Sequence, residues 1–108
     1  MSADGVWRIE QLSAEGWEPV GAAFLENGRY LRGGVHAYTI GRYELDGDRI
    51  TITAKSTRFG SGRPVYGVES GDIEITLTGE VKDDKIIADA TGGSYVTRYR
   101  YTRVGDMP

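Results

Sequence analysis

The stretch HAYTIGRYELDGDRITITAKSTRF, residues 36–59, contains two alternating runs of apolar and polar residues on either side of Asp46-Gly47. In the second run the apolar residues Ile50, Ile52 and Ala54 alternate with threonine and lysine. Such alternation is typical of a strand with one buried face and one solvated face. Asp-Gly is a strong hairpin signal, since tight primed turns need positive φ at their central residues. The stretch therefore predicts an antiparallel hairpin.

Similar turn signals recur along the chain between further alternating runs. They are Asn27-Gly28, Gly33-Gly34, Asp46-Gly47, Gly60-Ser61-Gly62, Gly71-Asp72, Lys82-Asp83-Asp84 and Gly92-Gly93. No helical pattern lies between them. The segments they separate predict eight short strands: Gly5 to Leu12, Trp17 to Glu26, Arg29 to Arg32, His36 to Leu45, Arg49 to Phe59, a run around Ile73 to Thr78, Lys85 to Thr91 and Ser94 to Val104.

Eight strands joined by short connections predict a closed barrel. A flat sheet would expose two edges, whereas an up-and-down barrel removes both edges and buries one face of every strand. A two-sheet sandwich is the alternative, but it favours Greek-key crossovers, for which the connections are too short. We expect residues 1–108 to form a single domain, an all-β, eight-stranded antiparallel up-and-down barrel. An interior of this size is filled by side chains or holds one small ligand.

Composition excludes several kinds of chemistry. The chain has no cysteine and one histidine, which rules out disulfides, thiolate catalysis and cysteine or multi-histidine metal sites. Its net charge is −3 and its pI is about 5.1, whereas nucleic-acid binders usually carry a basic patch and a basic pI. No nucleophile–base pair or phosphate-binding loop occurs in the sequence. We therefore expect no cofactor, no metal, no direct nucleic-acid partner and no enzymatic activity.

The N-terminal residues Met-Ser-Ala-Asp-Gly lack the basic start and the apolar stretch of a signal peptide. No segment approaches the apolar length of a membrane-spanning helix. We expect a cytoplasmic protein that does not contact a membrane.

The first strand begins with Gly5-Val6-Trp7. This triplet resembles the Gly-x-Trp start of lipocalin-type barrels, in which the tryptophan closes one end of the barrel and an arginine from a late strand packs across the indole. The resemblance implies this plugging role for Trp7. It also implies a cation–π contact from Arg98 or Arg100, worth about 1 kcal/mol.

A longer series of motifs runs through roughly the first 80 residues. It consists of Asp4-Gly5-Val6-Trp7, Leu25-Glu26-Asn27-Gly28-Arg29, Gly33-Gly34, Tyr38 through Gly41-Arg42-Tyr43, Val65-Tyr66-Gly67 and Leu77-Thr78-Gly79. Together these motifs resemble the lipocalin-like negative regulators of type III secretion (the GrlR-type family). The resemblance implies an eight-stranded barrel, a homodimer and a cytoplasmic protein that represses by binding a transcriptional activator rather than DNA.

The sequence departs from that family in the loop that contacts the activator. Regulatory members carry four acidic residues there, and the matching stretch in this chain is Leu45-Asp46-Gly47-Asp48. Asp46 and Asp48 are the candidates for a partner-binding loop. The alternative, which we favour, is an ordinary tight turn, because Asp-Gly is what a type I′ turn requires.

Three residues of the fourth strand are candidates for a ligand pocket. His36 is the one side chain expected to titrate near neutral pH, and it shares a face with Tyr38 and Arg42. If that face points inward, a buried Arg42 needs a carboxylate partner or an anionic ligand. If that face points outward, the alternate residues of the strand face the core instead. Gly41 leaves the register ambiguous, and we favour the outward orientation.

The eighth strand alternates tyrosine with arginine. Its tyrosine face either lines a ligand pocket, with Tyr99 and Trp7 as candidates, or forms ordinary core, which we favour. The arginines form either an anion-binding stripe or, as we favour, a solvated outer face: Arg98, Arg100 and Arg103.

These observations favour a non-enzymatic barrel that acts as a binding or regulatory module, through a protein partner, a small apolar ligand, or both. The alternative is a carrier or sensor of a small hydrophobic ligand in the barrel interior. An enzyme using His36, Tyr38 and Arg42 is a third class, which lacks a convincing acid–base set. A cavity lined by Trp7 and tyrosines would favour the carrier, whereas a filled barrel would favour protein partners.

Overall fold

The computed structural model describes residues 3–34, 37–58, 71–92 and 95–108. Each strand pairs antiparallel with the next, and the last strand pairs with the first, which closes the sheet. The predicted eight-stranded up-and-down barrel is confirmed. In the described ranges no helix is long and apolar enough to span a membrane. The strands are β1 (Gly5–Ser13), β2 (Gly16–Glu26), β3 (Arg29–Gly33), β4 (Ala37–Asp46), β5 (Arg49–Arg58), β6 (Gly71–Lys82), β7 (Lys85–Gly92) and β8 (Tyr95–Gly105).

Most strand ends lie within one residue of the boundaries expected from the turn signals. Asn27 and Gly28 both have positive φ, 51° and 77°, as a type I′ turn needs. One turn signal was wrong: Gly71-Asp72 opens β6, because the ladder with β5 continues as far as Arg58. The Gly60-Ser61-Gly62 signal lies outside the described residues.

The turn at Asp46-Gly47-Asp48 differs in type from the expected one. Asp46 is the last residue of β4, so Gly47 and Asp48 are the two central residues. Of these, Gly47 alone has positive φ, 62°. Glycine at the first central position is the requirement of a type II′ turn rather than a type I′ turn.

Alternate connections lie at opposite ends of the barrel. One end carries the β2–β3, β4–β5 and β6–β7 turns together with the start of β1 and the end of β8. The opposite end, which we call the mouth, carries the β1–β2 turn and the remaining three connections. Antiparallel order therefore gives the barrel two chemically distinct ends.

The inner side chains change in size along the barrel. Away from the mouth they are mostly large and buried: Trp7, Ile9, Leu25, Tyr30, Tyr43, Ile50, Ile52, Leu77, Val81, Ile86 and Tyr101. Nearer the mouth they include small and polar side chains: Thr39, Ala54, Ser56, Ala90 and Gly92. Thr39 and Ser56, the buried polar residues of the described ranges apart from the tyrosines, both lie on the mouth side.

Gly41 shows which face of β4 points into the barrel. A Cβ added to Gly41 would lie 2.2 Å from the backbone oxygen of Thr53 on β5, so this inward position admits no side chain. Thr39 and Tyr43, which share its face, are buried. Tyr38 and Arg42 therefore point outward and are exposed. This outcome corrects their assignment as pocket candidates, because the inner row of β4 is already taken by its odd-numbered residues.

Candidate functional site

Trp7 closes one end of the barrel from within, and we call this end the sealed end. The side chain is fully buried, and its indole N–H donates a hydrogen bond of 3.0 Å to the carbonyl oxygen of Ala3. The guanidinium of Arg103 lies over the indole, 5.0 Å from the ring centroid. The Trp7 role implied by the Gly-x-Trp start agrees with this geometry.

Asp4 fastens the N-terminal segment across the sealed end. Its carboxylate accepts hydrogen bonds from the backbone N–H of Asn27, at 3.1 Å, and from the Tyr43 hydroxyl. Ala3, beside it, is fully buried. The segment before β1 therefore contacts both the β2–β3 turn and the inner face of β4.

The arginine over Trp7 is Arg103, and the expectation of Arg98 or Arg100 was wrong. Arg98 pairs on the outside with Asp89 at 2.8 Å. Arg103 is an even number of residues from the inward-facing tyrosines of β8 and so shares their face. Strand alternation alone could have identified it as the arginine over Trp7. Its charge favours the opposite interpretation, an outward orientation, because charged residues usually face water.

Arg100 also stays on the outer face, where it makes two contacts. Its guanidinium lies 4.6 Å from the ring centroid of Trp17 and forms an ion pair of 2.9 Å with Glu10. Both contacts tie β8 to the first two strands and strengthen the closure of the barrel.

A polar cluster lies inside the barrel on the mouth side, formed by Arg32, Thr39, Ser56 and Tyr99, and we call it the polar layer. Cross-strand pairing places the first three in one row, because Arg32 pairs with Thr39 and Thr39 pairs with Ser56. Thr39, Ser56 and Tyr99 are all buried. The Arg32 guanidinium lies over the Tyr99 ring, 5.1 Å from its centroid. The polar layer therefore brings a guanidinium and three hydroxyl groups together inside the barrel.

Arg32 remains a cation in this setting. Burial opposes its charged form, but the phenols around it, that of Tyr99 foremost, outweigh burial and hold the pKa above its usual range. No carboxylate of the described residues lies within ion-pair distance of its guanidinium. Within the described ranges, the positive charge of the polar layer is therefore accompanied by aromatic rings and phenols and by no carboxylate.

Two buried tyrosines lie below the polar layer. The hydroxyls of Tyr30 and Tyr101 are 2.7 Å apart, and their rings pack edge to face at 6.4 Å between centroids. Burial raises the pKa of Tyr30 from 10.0 to about 12, and burial likewise raises the pKa of Tyr101 well above its usual value. Both phenols are therefore neutral at neutral pH.

These raised pKa values predict a loss of stability at alkaline pH. Folding favours the protonated phenols, so their contribution is complete below pH 10 and is lost as pH rises from 10 towards 12. For Tyr30 the loss is on the order of 2 kcal/mol. Urea denaturation at a series of pH values measures it, and Tyr30→Phe should flatten the decline. Tyr38→Phe, at an exposed tyrosine, is the control and should leave the decline unchanged.

The other candidate residues from the sequence lie in different parts of the barrel. Trp7 and Tyr99 are both inside the barrel but belong to different places, the sealed end and the polar layer. Asp46 and Asp48 are exposed at the β4–β5 turn, where the Asp48 carbonyl accepts a hydrogen bond of 2.7 Å from the backbone N–H of Val81. His36 lies outside the described residues. Among those described, no three acidic or histidine side chains are grouped to hold a metal ion.

Arg32 is the site residue that the sequence analysis missed. The sequence predicts the third strand only as the return of a hairpin, which gives Arg32 no role. The available signal was its position two residues after Tyr30, since residues two apart on a strand share a face. That signal becomes usable only once Tyr30, rather than Leu31, is known to face inward.

An exposed apolar row crosses the outside of three neighbouring strands. Phe24 pairs with Leu31, and Leu31 pairs with Ile40, so their side chains stand side by side. Their exposed fractions are 40%, 47% and 56%. We call this set the outer row; Tyr38, two residues from Ile40 on the same face, extends it.

Comparison with protein-family models finds no family that matches this chain. Comparison with curated protein sequences finds no match either. The fold and the site define a closed eight-stranded barrel with one sealed end and a partly buried arginine cation towards the other.

Proposed function

We propose that this protein is a non-enzymatic binding module that takes up a small molecule through the mouth of the barrel. The observation that carries the proposal is the asymmetry of the interior. Trp7 and its contacts close one end, whereas the inner side chains near the other end include small and polar ones, among them Thr39, Ser56 and Ala90. An eight-stranded barrel is the size that can hold one small ligand. This is the carrier or sensor function considered for the sequence.

Uptake of a neutral hydrophobic probe tests this function. N-phenyl-1-naphthylamine should bind at one molecule per chain, with a rise in its fluorescence, and native mass spectrometry should show the same stoichiometry. Ser56→Phe, which fills the polar layer, should abolish binding. Thr53→Phe, on the outer face of the same strand, should not. A wild-type protein that is folded and takes up no probe would overturn the proposal.

A second function, contact with a protein partner, is supported by the outer row. Large apolar side chains aligned on an exposed face mark interaction surfaces. The resemblance to the GrlR-type family supplies the details of this second proposal. They are a homodimer, a cytoplasmic location, and repression by binding of a transcriptional activator. We assign the outer row to the homodimer, since the departure at Leu45-Asp46-Gly47-Asp48 weakens the case for the activator loop.

If the protein is a homodimer, its mass in solution is that of two chains, and a substitution in the outer row should separate them. Sedimentation equilibrium at micromolar concentration should give twice the mass of the chain, with a two-fold contact burying more than about 1,000 Å² in total. Leu31→Glu, at the centre of the outer row, should give a monomer. Val96→Glu, also exposed but away from the row, should remain dimeric. A monomeric wild-type protein would contradict the assignment.

A further inference from the structure

Arg32 differs from the two other arginines that contact aromatic rings. Arg100 lies over Trp17 and pairs with Glu10 at 2.9 Å. Arg103 lies over Trp7 and its Nε is 3.4 Å from a carboxylate oxygen of Asp84. Arg32 has the ring of Tyr99 but, among the described residues, no carboxylate. It is also the one of the three whose guanidinium lies in the polar layer.

A partly buried cation with no anion among the residues that the structure describes is costly, and arginine cannot escape the cost by losing its proton. Aromatic contact offsets only part of that cost. The hydroxyls of Thr39 and Ser56 lie in the same cross-strand row, so they add donors rather than negative charge. The polar layer therefore places a guanidinium and two hydroxyl donors at neighbouring inner positions, and such a set is the complement of a planar anion.

The surroundings of the polar layer indicate the rest of the ligand. Ile75, Ala54 and Ala90 are buried on the inner face of neighbouring strands, and Ile73 is partly buried beside them. These side chains are apolar, and two of them are small. The large side chains below restrict any ligand to the mouth side. The ligand is therefore compact, with an apolar body beside its anionic group.

We propose that Arg32 is an anion-binding residue and that the barrel takes a small carboxylic acid with an apolar body. This inference rests on the proposed uptake of a small molecule and adds the charge of that molecule. The carboxylate lies against the Arg32 guanidinium, with Thr39 and Ser56 donating to its oxygens. Tyr99 positions the guanidinium from the opposite side.

A matched pair of probes tests the charge preference. 1-Naphthylacetate and 1-naphthylacetamide have the same body and differ in charge, and isothermal titration calorimetry measures both. The wild-type protein should bind the acid at least ten-fold more tightly than the amide. Arg32→Met should remove that preference and leave amide binding unchanged, and Arg32→Lys should retain part of it. Arg100→Met, which removes an arginine from the outer face, should keep the full preference.

A second measurement does not depend on the ligand. Without ligand, Arg32→Met should raise the urea midpoint, because an apolar side chain replaces a charge that has no anion in the described part of the chain. Addition of the acid should raise the midpoint of the wild-type protein and not that of Arg32→Met. A midpoint that falls in Arg32→Met without ligand would show that Arg32 stabilises the fold, and would overturn the inference.

The remaining outcomes separate the two proposals. If the neutral fluorescent probe binds but the acid and the amide bind equally, or neither binds, the inference about charge fails and the uptake function stands. If no probe binds to the folded protein, the uptake function fails and the inference fails with it. If Arg100→Met loses the preference as Arg32→Met does, the preference comes from surface charge and not from the polar layer.

Discussion

Trp7→Ala is expected to lower the free energy of unfolding by about 3–5 kcal/mol. Trp7 is fully buried, and its removal leaves a cavity where the sealed end closes. It also leaves the Ala3 carbonyl without its indole donor and Arg103 without the ring beneath it. Urea denaturation followed by far-ultraviolet circular dichroism measures the change, since this signal does not depend on the mutated indole.

The second tryptophan provides the control. Trp17 is only half buried and contacts Arg100 on the outer face, so Trp17→Ala should cost about 1 kcal/mol or less. Trp7→Phe should fall between the two alanine variants, because it keeps an aromatic ring but loses the N–H donor. Equal losses for Trp7→Ala and Trp17→Ala would contradict the assignment of Trp7 as the residue that closes the barrel.

Gly41→Val is expected to lower the free energy of unfolding by about 3 kcal/mol or more. The Cβ alone would lie 2.2 Å from the Thr53 carbonyl oxygen and 2.4 Å from the Ala54 Cβ, so β4 and β5 must separate to admit it. Valine adds two further methyl groups to the same inner face. Thermal and urea denaturation measure the loss.

Gly33→Val is the matched control on the neighbouring strand. A Cβ at Gly33 meets nothing within 4 Å, and the residue is exposed. Valine there should change stability by less than about 1 kcal/mol, in either direction, because a branched residue suits a strand better than glycine. If both valine variants behaved alike, β4 and β5 would have to be farther apart at Gly41 than the structure shows.

The fold could be predicted because its turns depend on local chemistry. Asn27-Gly28 and Gly47-Asp48 turn where glycine or asparagine can take positive φ, and the alternation between them needs no knowledge of distant contacts. Closure followed from the need to remove two sheet edges. Gly71-Asp72 failed as a turn signal because glycine also occurs within strands, where a partner ladder overrides its local preference.

The candidate site could not be predicted in the same way, because it depends on which face of a strand points inward. Hydrophobicity alone would place Leu31 inside and Tyr30 and Arg32 outside. The structure does the reverse, with Leu31 47% exposed and Tyr30 buried. The register of β3 follows its neighbours: Tyr30 pairs with the inward-facing Leu25 and Gly41. A five-residue strand carries too few side chains to reveal this by its own pattern.

The pairing of β1 with β8 has a consequence for how the protein is made. Every other pairing joins consecutive strands, so those hairpins can form as the chain leaves the ribosome. The Gly5 position, where an added Cβ would lie 2.9 Å from the Arg103 guanidinium, is completed by a residue from the last strand. Until that strand is synthesised, β1 and the newest strand both remain open edges, which are prone to pair with other chains. The interval between the first and last strands is therefore the period in which this protein is most vulnerable to aggregation, and loss of β8 would make that state permanent.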